Sequence, residues 1–106
     1  MDKKNNKHEV IVSTEAAKML VSHVRFLAVV SEKAALNLIS EFERNTRTLE
    51  NLPESNPWLE DPSIPTHKYR KLLFAKRYLL VYQIKEKTVY VDALVDCRQE
   101  YGWLLL

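Results

Sequence analysis

Apolar and polar positions along this chain keep two rhythms, separated by a segment that keeps neither. From Thr14 onward the apolar residues recur at helical spacing, first as Ala17, Leu20, Val21, Val24, Leu27 and Ala28, then as Ala35, Leu38, Ile39, Phe42, Thr46 and Leu49. A repeat of i, i+3, i+4, i+7 puts one apolar stripe on an α-helix. Thr14 is the hydroxyl expected to cap the first helix. Ser31 restarts the pattern for the second, and Glu15 and Glu32 follow at the positive ends of the helix dipoles. Two such stripes joined at Val30-Ser31 predict an antiparallel helical hairpin that needs a sheet to cover it.

The last third supplies that sheet. Tyr69–Phe74, Tyr78–Ile84 and Thr88–Val95 are aromatic and β-branched runs parted by Ala75-Lys76-Arg77 and Lys85-Glu86-Lys87. Short polar breaks between such runs predict an antiparallel meander. Ahead of the helices, His8–Ser13 alternates around Val10 and Val12 and predicts a short edge strand. Between hairpin and meander lies the third kind of segment, Leu52–Pro65. It carries Pro53, Pro57, Pro62 and Pro65, too many for a helix interior or a central strand. Trp58 and Leu59 are apolar enough to fold this loop back on the body.

The fold class is therefore α+β in the order β-α-α-β-β-β, with the helical hairpin packed on one face of an antiparallel sheet and the other face left open. Residues 1–7 read as a disordered leader and residues 8–106 as one domain. A chain of 106 residues is long enough to bury a core without staples. Its net charge of +2 permits nucleic-acid contact without arguing for it. Cys97 is the only cysteine, which excludes an internal disulfide and suits a reducing compartment; it is expected as a buried, inert thiol. No run approaches a bilayer span, and the N-terminus has no apolar signal region. Together these features predict a cytoplasmic protein with no membrane association.

The element order, the string Tyr78-Leu79-Leu80-Val81-Tyr82-Gln83-Ile84 and the later Asp96-Cys97-Arg98-Gln99-Glu100-Tyr101 resemble the RelE/ParE superfamily of bacterial toxins from type II toxin–antitoxin systems. The resemblance runs from Val10 to the C-terminus. It implies a cognate antitoxin as partner and one of two targets. RelE-like members cleave messenger RNA on the ribosome, whereas ParE-like members inhibit DNA gyrase without being nucleases. Ribosome-dependent cleavage of mRNA is the first expectation, and gyrase inhibition or a non-catalytic binding module the alternative.

The cleaving members carry cations on the sheet and a tyrosine near the C-terminus. By that resemblance Arg70 and Arg98 are the candidate phosphate-binding cations, and Tyr101 and His67 the candidates for proton transfer. Such cations would offset charge growing on the phosphate as a ribose 2′-oxygen attacks. The pattern is incomplete, because Leu72 and Leu79 stand where further cations are expected. No metal or organic cofactor is implied, since no His/Cys/Asp spacing suits a metal. The chain-terminal Trp103-Leu104-Leu105-Leu106 is expected either to tuck against the helices or to meet the antitoxin.

Overall fold

The computed structural model describes residues 7–97. The expected leader, apart from Lys7, therefore lies outside the described residues, as do Arg98, Tyr101 and Trp103–Leu106. Strand β1 is Glu9–Val12, helix α1 Thr14–Val30 and helix α2 Glu32–Thr48; a 3-10 turn, Pro53–Ser55, precedes β2 (Arg70–Phe74), β3 (Tyr78–Lys85) and β4 (Thr88–Asp96). The four strands form one sheet in the order β1-β4-β3-β2. The meander is antiparallel as expected. The edge strand β1 joins it parallel to β4, pairing Val10 with Val89 and Val12 with Val91, so the sheet as a whole is mixed.

One residue reverses the chain between the helices. Ser31 is extended (φ −160°, ψ 115°); its amide donates to the Leu27 carbonyl at 2.7 Å and its Oγ accepts from Ala34 N at 3.1 Å. It thereby closes α1 and opens α2, satisfying otherwise orphaned groups at both ends. At the start of α1 the cap is Ser13 and not Thr14: Ser13 Oγ accepts from Ala16 N at 3.0 Å, and Thr14 is the first helical residue.

Helix α2 buries the expected stripe, with Ala35, Leu38, Phe42 and Leu49 all buried. Helix α1 differs. It turns Ala16, Met19, Leu20, Val24 and Leu27 toward the core and leaves Ala17, Val21 and Ala28 outside. Its apolar arc is wide, with Phe26, Val29 and Val30 exposed as well, and Glu15, Lys18, Ser22 and Arg25 mark the polar side. Several phases of the helical repeat were thus open to it.

Two apolar layers flank the sheet. Toward the hairpin lie Phe74, Tyr78, Leu80, Tyr82, Val89, Val91 and Leu94. On the opposite face Leu79, Val81, Ala93 and Val95 pack under Leu59, Ile64 and Tyr69. The proline-rich segment thus covers part of the face expected to be open. Asp61 shapes this cover, its Oδ1 accepting from Ser63 N at 2.9 Å and Ser63 Oγ at 2.6 Å. Those two bonds, the side-chain one first, hold its carboxyl below the usual range. A bulge in β4 makes both layers possible. Tyr82 pairs with Val91 and Val81 with Ala93, so Asp92 is the extra residue and the side chains beyond it change faces. Gln83 Nε2 donates to the Asp92 carboxylate at 2.7 Å across the bulge.

Candidate functional site

Strand pairing decides where the candidate residues go. Arg70 pairs with Tyr82 on one side and forms an antiparallel bridge with Trp58 on the other. Residues directly opposite one another in antiparallel strands share a face, so Trp58, Arg70 and Tyr82 lie side by side. Flanking bonds fix that register, from Leu59 N to Tyr69 O at 2.7 Å and from Lys71 N to Pro57 O at 3.0 Å. The loop thereby blunts the outer edge of β2 along its first residues.

The guanidinium of Arg70 lies 3.9 Å from the centre of the Trp58 ring. Its Nη1 donates to the carbonyls of Glu54 at 3.1 Å and Asn56 at 2.7 Å. Beneath it, Asn56 Nδ2 donates to the Tyr82 hydroxyl at 2.9 Å, and that hydroxyl donates to the Pro53 carbonyl at 2.7 Å. Burial pushes the Tyr82 hydroxyl's pKa above its ordinary value, partly offset by the Asn56 bond and the Arg70 charge. His67 stacks on the same indole with centroids 4.6 Å apart and a 24° interplanar angle. Its backbone is left-handed, φ 59°.

Trp58, His67, Lys68, Arg70 and Lys85 thus line one cleft of about 310 Å³, with Glu54 as its acid. Of the four candidate residues, the structure brings Arg70 and His67 together on Trp58. Arg98 and Tyr101 lie outside the described residues. Reading the sequence missed the cationic partners Lys68 and Lys85. The pairing of the loop with β2, which no local pattern announces, carries Trp58 into the cleft they line.

The two leucines standing where cations were expected both pack against the core, Leu72 partly and Leu79 fully buried. Leu72 packs against the helix-facing cluster, and Leu79, 5% exposed, belongs to the layer under the proline loop. Arg70 shares the helix-facing side of β2 with Leu72 and Phe74, whereas Tyr69, Lys71 and Leu73 point the other way. At the far end of the sheet Arg77 Nη2 lies 3.4 Å from Asp96 Oδ2. Cys97, expected buried, is exposed, because β4 ends at Asp96 and its thiol falls in the turn beyond. Among the described residues no group of three His, Cys, Asp or Glu side chains is placed to hold a metal ion, and no helix is long and apolar enough to cross a membrane.

A helical hairpin laid over a β-meander, with a first strand docked beside the last, is the architecture of the RelE/ParE superfamily of toxins. The family model described as the ParE toxin of the type II toxin–antitoxin system parDE matches residues 10–101, and the chain belongs to that family. It is thus the toxin component of a type II toxin–antitoxin module. Among solved structures it is similar to a chain of a chromosomal ParDE toxin–antitoxin system from P. aeruginosa, with a TM-score of 0.67 and 14% identity over 86% of this chain and 97% of that one. At that identity the likeness is one of fold. No curated protein sequence matches the chain.

Proposed function

We propose that this toxin acts in the cytoplasm by binding DNA gyrase and that it does not cut messenger RNA. The observation that carries the reading is the covered sheet face. Where a cleaving member would expose cations, Leu79, Val81, Ala93 and Val95 are buried under Leu59, Ile64 and Tyr69. A scissile phosphate needs donors aimed at it in a water-excluded site, and an apolar layer offers none. Arg70 sits on the other side of the strand, its Nη1 held by two backbone carbonyls. His67 stacks on Trp58 just ahead of β2, at the end of the sheet opposite to the close of β4 at Asp96.

Gyrase is the target that resemblance to ParE-like members implies, and a cognate antitoxin is the neutralising partner. Arg98 and Tyr101 stay as the residues by which the rival would be recognised. Under ribosome-dependent cleavage, Arg98→Ala would lower cutting by about 10²-fold or more through loss of one transition-state donor. The test is induced expression in a bacterial host, with plasmid topology and message integrity followed in the same culture. Relaxed plasmid with intact message is expected. Cut message with normal supercoiling, abolished by Arg98→Ala, would overturn the reading.

A further inference from the structure

We propose that the cleft around Trp58 docks an acidic protein segment, and that this segment belongs to the toxin's target. The inference rests on the proposed function, since it names the chemistry by which that target is held.

The cleft is cationic, and none of its cations is ion-paired among the described residues. The ammonium groups of Lys68 and Lys85 lie over the Tyr69 and Tyr90 rings, at 5.3 Å and 5.9 Å from their centroids. Arg70 is held differently. Two carbonyls engage Nη1 and the indole supports the plane, so the guanidinium is fixed before any partner arrives. No described residue engages the opposite edge of its fork. A planar donor pair oriented in advance suits a carboxylate, with little rotamer entropy left to lose on binding. Glu54, the one acid at the cleft, faces His8, with its Oε2 at 3.7 Å from His8 Nε2.

The occupant's sign follows from that charge, and its class from how the charge is spread. A nucleic acid is a line of phosphates and is met by a basic track along a surface. Here a chain of net charge +2 lines one cleft with three permanent cations, Lys68, Arg70 and Lys85, beside Trp58 and His67. That arrangement fits one or two carboxylates flanking an apolar contact, as an acidic loop or chain end presents them. Aromatic and arginine anchors in a concave site are also what protein hot spots use.

The experiment compares wild type, Lys68→Glu, Lys85→Glu and the double variant in a gyrase supercoiling assay. Lys33→Glu, on the outer face of α2, is the charge control, and antitoxin affinity and single-stranded oligonucleotide binding are measured alongside. Lys68, Lys85 and Lys33 are all exposed, so none of these changes disturbs packing. The double variant should need at least about tenfold more protein for half-inhibition, a loss of roughly 1.4 kcal/mol. Arginine at both positions should restore potency, and Lys33→Glu should match wild type. Wild-type inhibition that the double variant leaves unchanged overturns the docking inference while the proposed function stands. A parallel loss of antitoxin affinity assigns the cleft to the antitoxin, and oligonucleotide binding lost in the same variants assigns it to nucleic acid; either contradicts the inference. No inhibition by wild type removes the proposed function and this inference with it.

Discussion

Tyr82 and Asn56 join the centre of the sheet to the proline-rich loop: Asn56 Nδ2 donates to the Tyr82 hydroxyl at 2.9 Å, and the same hydroxyl donates to Pro53 O at 2.7 Å. Tyr82 is fully buried. The loop that carries Trp58 is therefore anchored through a hydroxyl that water does not reach. Tyr82→Phe keeps the ring but leaves the Pro53 carbonyl and one Asn56 N–H unpartnered. It should cost about 1–3 kcal/mol. The check is a urea-unfolding midpoint, which should fall with an unchanged slope. A midpoint equal to wild type would mean the bonds contribute nothing.

The same hydroxyl predicts an alkaline limit. Burial raises the pKa of Tyr82 above its ordinary value of 10.0, and Tyr69 is raised too, by burial first and then by the Asp92 charge. A folded-state pKa above the unfolded one means the folded chain holds its proton more tightly. The contribution is fully present below pH 10 and is lost as pH rises toward the folded-state values. Stability should therefore decline above about pH 10. Tyr82→Phe should make that decline shallower, with Tyr69 supplying the remainder. An identical alkaline slope in wild type and variant would refute the assignment.

At the tip of the β2–β3 hairpin, Ala75 and Lys76 have φ of 51° and 66°. Consecutive positive φ values are those of a type I′ turn, which normally recruits Asn-Gly. The chain has a single glycine, at position 102, so residues with a Cβ occupy this turn at a steric cost. Lys76→Gly should stabilise the fold by up to about 1 kcal/mol, seen as a rise in the thermal midpoint. A fall would show that Lys76 makes a contact worth more than the strain.

Val81 is fully buried in the layer beneath the proline loop, whereas Leu73 on the neighbouring strand is 56% exposed. Val81→Ala should cost about 1–3 kcal/mol through lost burial and the cavity left behind. Leu73→Ala should stay within about 0.5 kcal/mol of wild type. Equal effects in denaturant unfolding would contradict the two-layer sheet.

What could be read in advance follows from how redundantly each segment is written. In α2, charges separate the apolar residues, so Ala35, Leu38, Phe42 and Leu49 admit one phase only. In α1, Val21, Phe26, Val29 and Val30 leave several phases open, and packing on β4 chose among them. The meander was legible because its strands alternate or stay apolar between polar turns. The parallel docking of β1 was not, since four residues carry no signal of strand direction. Period-two alternation places Arg70 with Leu72 and Phe74, on the helix side and away from Leu79. The role given to it by resemblance needed the other side. The cleft itself depends on contacts such as Leu59 with Tyr69 and Trp58 with Arg70, about a dozen residues apart, beyond the reach of local pattern.

The most direct test of the account is purified toxin titrated into a gyrase supercoiling reaction, with ribosome-bound message incubated with the same preparation in parallel. The account predicts that supercoiling stops, that cognate antitoxin restores it and that the message stays whole. Undiminished supercoiling together with cleaved message would contradict it.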